Sequence, residues 1–327
     1  MLRTAVIGVG HLGQQHARIH AALAAENKVK LVSVCDLDAG SAREIGQRWS
    51  VETTTDWQTL LGKVDAISLA VPTESHSDIA GGLLQAGVHV LVEKPISRTI
   101  EEADRMIAAA KSGKAVLQVG HAERFNPAMI ALRPHVKSPV YFEIHRVGQF
   151  TARSLDIDVV LDLMIHDLDI VQWLVGEGVE ATSVHAVGIP ILTNRVDAAN
   201  ARIEFASGAV ANITASRVGT EKIRKMRFFQ PRDYIAIDYA TNHASISNLA
   251  PSTQSPWPGV QTRVLEVKDV EPLRAEIESF VEAATNGSRP IVSGEDGRRA
   301  LSLALRTLEE IHQHTVKVGG DSLFQKA

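Results

Sequence analysis

Three short runs in this sequence combine residue types that could do chemistry. The first is Gly8-Val9-Gly10-His11-Leu12-Gly13, a G-x-G-x-x-G spacing between an apolar run and a helical one. That spacing permits a tight turn, a close approach of backbone to a pyrophosphate, and close packing of a helix on a strand. A helix that opens there offers free N–H groups and a partial positive charge to phosphate. Asp36 closes the next apolar run, near the distance at which a carboxylate takes the hydroxyls of an adenosine ribose. It also repels a 2′-phosphate, and no arginine follows it directly, so NAD is favoured over NADP, although Arg43 could still reach a phosphate. The plain alternative is a glycine turn with no cofactor.

The second run, Glu93-Lys94-Pro95, follows an apolar run of strand character. Ligands of open α/β sheets bind beyond the carboxyl ends of the strands. Lys94 therefore belongs at the mouth of the cleft, where its ammonium could stabilise an alkoxide. Pro72, Thr73 and His76, after the preceding strand, would line the same rim. The competing reading is an ordinary surface lysine. The third run holds Asp162 and His166, at i, i+4 on one face of a long apolar helix, with Asp158 and Asp169 extending the polar stripe. A histidine oriented by a carboxylate could act as general base, because its unperturbed pKa of about 6.5 lies near working pH. A metal site and a solvated helix face are the alternatives at this spacing.

The elements that would position these groups follow an alternating pattern. Residues 3–7, 29–34, 66–70, 89–92 and 115–119 read as strands. Residues 11–25, 39–49, 76–86 and 99–112 read as helices, the last capped by Thr99 and followed by Gly113. Strands alternating with helices of this length predict βαβ units and a parallel sheet. After Gly120 a connection over residues 121–139 leads to a strand at 141–147, then a helix at 157–175 with Asp156 as a possible cap. From 181 to 267 strands and turns dominate, including a hairpin around Ser207-Gly208. The proline-bearing segment 251–259 reads as a surface loop. Helices at 272–285 and 295–315 end the pattern. The expected organisation is an α/β chain: a Rossmann domain over 1–120, then an α+β domain over 121–327 on an open, mostly antiparallel sheet, with the last helices able to pack back on the first domain.

Composition narrows the function classes. The 327 residues are 45% hydrophobic and 22% charged, with 34 basic and 38 acidic residues and a formal charge of −4. Nucleic-acid binding usually shows as a basic excess, which is missing. No apolar run reaches the about 18 residues of a membrane span. The start of the sequence has no signal-peptide pattern, and the single cysteine, Cys35, fits a reducing compartment. The expectation is a cytoplasmic enzyme without nucleic-acid or membrane partners.

Taken together, Gly8–Gly13, Glu93-Lys94-Pro95, Asp162 with His166, and the late run Arg289-Pro290 with Ser293-Gly294-Glu295-Asp296-Gly297 resemble the glucose–fructose oxidoreductase, inositol dehydrogenase and MocA (Gfo/Idh/MocA) family over nearly the whole chain. The resemblance implies a nicotinamide-dependent oxidoreductase with a Rossmann domain and an α/β domain built on an open sheet. It implies that Lys94, Asp162 and His166 are catalytic. It also implies that Gly8, Gly10, His11, Leu12, Gly13, Asp36, Pro72, Thr73, His76, Glu93 and Lys94 serve the cofactor. A homodimer or homotetramer is the implied assembly.

The run 118–127, from Gln118 to Pro127, together with 162–169, resembles the branch that oxidises the 3-hydroxyl of UDP-N-acetylglucosamine, a step before transamination to a 2,3-diamino sugar of lipid A. On that resemblance the substrate is a sugar or nucleotide sugar. Arg124, Asn126 and Arg146 are substrate candidates, and Arg153 and Arg217 are further ones. Arg124 could equally tie the two domains together. Alternatives are a polyol dehydrogenase or keto-sugar reductase of the same family, a non-catalytic NAD-binding regulator, and a metal-dependent hydrolase.

Overall fold

Short runs of branched apolar residues, each ended by glycine, proline or a charged residue, become the strands of the N-terminal region. The computed structural model describes residues 1–150, 157–250 and 259–317. The chain runs β1 (Leu2–Ile7), α1 (His11–Ala25), β2 (Val29–Cys35), α2 (Ala39–Trp49), β3 (Glu52–Thr54), β4 (Ala66–Leu69), α3 (His76–Gln85), β5 (His89–Glu93), α4 (Ile100–Gly113) and β6 (Leu117–Gly120). It continues through α5 (Pro127–Leu132), β7 (Tyr141–Gln149), a π-helical turn (Val160–Met164), α6 (Ile165–Val175), β8 (Ala181–Ile189), β9 (Ala198–Phe205) and β10 (Val210–Gly219). It ends with β11 (Ile223–Gln230), β12 (Asp233–Asp238), β13 (His243–Ala250), β14 (Gly259–Val264), α7 (Pro272–Asn286) and α8 (Gly294–Lys317). Asp156, Arg153 and most of the 251–259 loop lie outside the described residues.

The chain divides into two compact units. Residues 1–125 and 271–301 form the first, and the remaining described residues form the second. In the first, six strands pair in the order β3-β2-β1-β4-β5-β6. Every pairing is parallel, as the alternating pattern predicts. Strand β4 is buried at all four positions, and all of β5 but its first residue is buried, as strands covered on both faces should be. Ile19 and Leu23 of α1 share a core with Leu91 of β5 and with Ile277 and Phe280 of α7. Helix α7 thus completes the cover of the Rossmann sheet. The start of α8 closes on itself: Ser293 N–H donates to Asp296 Oδ2 at 2.9 Å, and Asp296 N–H donates back to Ser293 Oγ at 3.3 Å. The Ser293-to-Gly297 run that carries part of the family resemblance is therefore a helix start.

The second unit is built on eight strands in the order β14-β13-β12-β11-β7-β10-β9-β8. β7 and β10 run parallel, and the other neighbours run antiparallel. The hairpin between β9 and β10 turns through Gly208, whose φ is +85°. Among the described residues, no helix is long and apolar enough to cross a membrane.

Four elements depart from the sequence reading. The edge strand β3 is short and polar, so no apolar run announces it. The connection at 121–139 contains α5, opened by the Asn126-Pro127 pair: Ala128 N–H donates to Asn126 Oδ1 at 3.0 Å. The helix expected over 157–175 is wound in two ways, a π turn and then α6. Finally, Gly113 does not lie past the end of α4. It is the last helical residue, and Lys114 takes the left-handed position at φ +53°. The glycine serves packing, because a Cβ on Gly113 would stand 1.8 Å from the Leu84 carbonyl oxygen of α3.

Gly113→Ala should therefore destabilise the protein by about 2 kcal/mol or more through overpacking. Gly81→Ala in α3, where an added Cβ meets nothing within 4 Å, should stabilise by up to about 1 kcal/mol. Urea unfolding of both variants measures the contrast, and equal shifts would contradict it.

Candidate active site

The glycine run fits a dinucleotide. Gly8 has φ +82°, and a Cβ there would stand 2.4 Å from the Ala70 carbonyl oxygen. A Cβ on Gly13 would stand 1.7 Å from the Gly8 carbonyl oxygen, so α1 can start this close over β1 only with glycine there. Gly10 differs: a Cβ on it would meet nothing within 4 Å, which leaves open space against the start of α1. No side chain caps α1, and its first turn holds no acidic residue. Its amide groups therefore remain available to a phosphate. His11 and Leu12 are exposed beside this space, while Gly8 and Gly13 are buried.

Asp36 stands beyond the end of β2, half-buried. Its Oδ2 accepts the Val9 N–H at 2.7 Å and its Oδ1 accepts the Asp38 N–H at 2.9 Å. These two bonds tie the carboxylate to the glycine loop and leave further lone pairs for ribose hydroxyls. Leu37, which the sequence reading passed over, is 91% exposed beside it. An apolar side chain held in water next to a carboxylate with lone pairs to spare suits the adenosine end of a dinucleotide.

The ends of β4 and β5 carry the next groups. Pro72 is exposed and Thr73 half-buried. His76 is buried and braces the two loops: its Nε2 lies 3.0 Å from the Val71 carbonyl oxygen and its Nδ1 lies 3.1 Å from that of Pro95. Burial pushes its imidazole below the usual histidine range, against the opposing pull of these carbonyls. Glu93 is buried too, with His16 Nε2 at 3.0 Å from Oε1 and the Lys94 N–H donating to Oε2 at 3.2 Å. Burial alone would raise the Glu93 carboxyl, but His16 and Lys94 outweigh it and hold it below the ordinary range. Lys94 is half-buried and precedes Pro95 through a cis peptide bond.

In the second unit, Asp162 lies in the π turn and His166 near the start of α6, both half-buried. Single π turns inside helices recur at functional sites. Asp158 does not prolong a catalytic stripe, because its Oδ1 accepts the Val196 N–H at 2.8 Å. Asp169 is 1% exposed.

The nominated arginines are internal. Arg146, 2% exposed, forks onto Asp167 with Nε–Oδ2 at 2.7 Å and Nη2–Oδ1 at 2.8 Å. Arg217 donates to the Ile157 carbonyl oxygen at 2.5 Å and lies 3.6 Å from Asp197. Within the first unit, Arg124 donates to the Ile291 carbonyl oxygen at 3.1 Å and lies 3.5 Å from Asp296. Their charges are compensated from within their own units. Asn126 acts as the cap of α5, as described above.

Comparison with known proteins agrees with this layout. Residues 2–121 match the family described as "Oxidoreductase family, NAD-binding Rossmann fold", and residues 100–229 match the "GFO/IDH/MocA C-terminal domain". A UDP-N-acetylglucosamine 3-dehydrogenase of Acidithiobacillus ferrooxidans is 39% identical over 93% of this chain and 96% of its own. A scyllo-inositol 2-dehydrogenase (NAD(+)) of Bacillus subtilis is 27% identical over 93% of this chain and 92% of its own. Among solved structures, that A. ferrooxidans enzyme superposes with a TM-score of 0.88 at 38% identity, covering 95% of this chain and 97% of that one. A levoglucosan dehydrogenase in complex with NADH and levoglucosan shares the fold, with a TM-score of 0.84 at 19% identity over 95% of this chain and 97% of that one.

The helix that carries the glycine loop also buries His20, whose Nε2 lies 2.9 Å from Ser68 Oγ. Burial, helped by the neighbouring His16, pushes the His20 imidazole down to about 3. The unfolded chain protonates this group near the ordinary value of about 6.5, so it binds the extra proton between the two values. Stability should fall as pH drops through that window, by about 1.4 kcal/mol per unit. His20→Gln keeps a donor for Ser68 and removes the titration. Between pH 7 and 5 the wild type should lose about 2 kcal/mol more than the variant in urea unfolding. Equal losses would contradict the assignment.

Proposed function

We propose that this chain, which belongs to the Gfo/Idh/MocA oxidoreductase family, is an NAD-dependent dehydrogenase that oxidises the 3-hydroxyl of UDP-N-acetylglucosamine. The observation that carries the substrate is the 39% identity, over 93% of this chain, to an enzyme of that activity. The glycine loop, the open space at Gly10 and the tethered Asp36 support NAD, and the Asp36 carboxylate disfavours the 2′-phosphate of NADP. When bound, NAD supplies the acceptor for the hydride that leaves the carbinol carbon.

The protein's own part is position and charge. In this reading His166 takes the hydroxyl proton as general base. The Lys94 ammonium stabilises the negative charge that develops on the oxygen. In the same reading Asp162 orients and polarises the lysine or histidine. Arg124, Asn126 and Arg146 serve the substrate through the segments they brace, since each already holds an internal partner. Glu93 and His76 serve the cofactor side in the same indirect way. The product, a 3-keto nucleotide sugar, is a substrate for transamination to the 2,3-diamino sugar of lipid A, in the cytoplasm.

A second copy of the chain is the expected partner, as a dimer or tetramer. On the outer strands of the second unit, Phe229, Tyr234, Leu249 and Val260 line a groove of about 520 Å³, and Leu249 and Val260 are 61% and 73% exposed. Val260→Asp should lower the assembled fraction in sedimentation, and an unchanged profile would remove this face from the assembly.

A second reading, oxidation of a free polyol, is favoured by the inositol dehydrogenases at 27% identity. Absorbance of NADH separates the two. The protein, NAD and UDP-N-acetylglucosamine, with glutamate and a matching transaminase to draw the reaction forward, should produce NADH only when the nucleotide sugar is present. Turnover with myo-inositol alone would overturn the nucleotide-sugar assignment and keep the family. Lys94→Ala and His166→Ala should each lower kcat on the order of 10²–10⁴-fold while NADH binding stays near wild type. A variant with normal turnover would refute the role given to that residue.

A further inference from the structure

Helix α1 reaches both the glycine loop and the base of Lys94. His16 sits one turn past the loop with its side chain fully buried, its Nε2 3.0 Å from Glu93 Oε1. Its Nδ1 is buried as well, and among the described residues no hydrogen-bond partner faces that nitrogen. The other Glu93 oxygen accepts the Lys94 N–H at 3.2 Å. From β6, Gly120 closes on the carboxylate, where an added Cβ would stand 3.1 Å from it. A buried carboxylate is tolerated only while its partners stay in place, because an unpaired buried charge is costly. The carboxylate is therefore a fixed point, held on one side by α1 and holding the backbone of Lys94 on the other.

We propose that His16 is a positioning residue for Lys94: by gripping Glu93 it fixes, through the Lys94 N–H, where the lysine stands at the end of β5. This rests on the reading of Lys94 as the group that stabilises the developing alkoxide. His16 is itself too deeply buried to meet a ligand. It acts through Glu93, and it links the helix that faces the pyrophosphate to the residue that faces the reacting oxygen. A misplacement of about 1 Å in such a group can cost on the order of 10²-fold in rate.

The test is a cycle of His16→Leu, Lys94→Ala and the double variant, assayed with NAD and UDP-N-acetylglucosamine at enzyme concentrations that resolve the residual rate of Lys94→Ala. NADH binding is followed by fluorescence in parallel. His16→Leu should lower kcat on the order of 10²-fold, with the KM and the NADH Kd close to wild type. It should cost nothing further once Lys94 is gone. His16→Gln, whose amide can place a donor where Nε2 stood, should recover most of the rate. The same loss in the Lys94→Ala background, or NADH binding that falls in step with kcat, would reduce His16 to a packing residue and overturn the positioning role. If His16→Leu does not fold, Glu93→Gln enters the same cycle with the same two outcomes. Wild-type turnover by Lys94→Ala would instead strike the role of Lys94 itself. A wild-type protein inert to UDP-N-acetylglucosamine would strike the substrate, and the cycle is then read with myo-inositol.

Discussion

Helix α1 starts so close over β1 that no side chain fits between them, and much of the first unit follows from that approach. A Cβ on Gly13 would fall 1.7 Å from the Gly8 carbonyl oxygen. With glycine there, the helix lies flat on the parallel sheet and its free amide groups stand at the carboxyl ends of the strands. Its buried side then runs over β4 and β5. His20 meets Ser68 of β4, and His16 meets Glu93 at the end of β5. Polar groups inside such a core are tolerated when paired, and these pairs fix the helix against the strands that carry the loops. The constraint that makes room for a pyrophosphate also sets the positions of the groups behind it.

Much of the first unit was readable because burial on both faces leaves a mark on composition. Residues 66–69 and 89–93 form nearly unbroken apolar runs, and the cap at Thr99 is a local signal that needs no tertiary information. What escaped was decided at a distance. Gly113 looked like a helix stop, but it is glycine because α3 passes beside it. Strand β3 is three polar residues on an edge, and only its pairing with β2 makes it a strand. The π turn before α6 carries no periodicity signal, since a single added residue shifts the face of an apolar helix without changing its composition. The Asn126-Pro127 start of α5 was in the sequence, but it was read for its chemistry and its capping role was overlooked.

The same distinction runs through the site. The glycine spacing could be read because it acts through local backbone, and the place of Asp36 because it closes the apolar run of β2. The place of Lys94 just past β5 could be read from the apolar run that ends before it, at the carboxyl edge where open parallel sheets bind ligands. The arginines could not be sorted, because nothing in a sequence says which carboxylate will stand opposite each one. Arg146 and Asp167 lie 21 residues apart, and His16 and Glu93 lie 77 apart. Histidines at helical spacing read as ordinary core residues until the strand that faces them is known.

Burial separates residues to which residue type alone gave equal standing. Glu93, His76, Arg124 and Arg146 are all chemically able to touch a ligand, and each is nearly inaccessible and committed to an internal partner. Lys94, Asp162, His166, Asp36 and Thr73 stay half-buried. A group that works on a substrate must be reachable, yet shielded enough for its charge to count, since a water-filled surface weakens every such interaction. A group that holds geometry is better sealed, because water would compete for its partner. In the proposed reading the deep set gives the positions and the half-buried set gives the chemistry. A substitution in the deep set should therefore reach the reaction only through the group it holds in place.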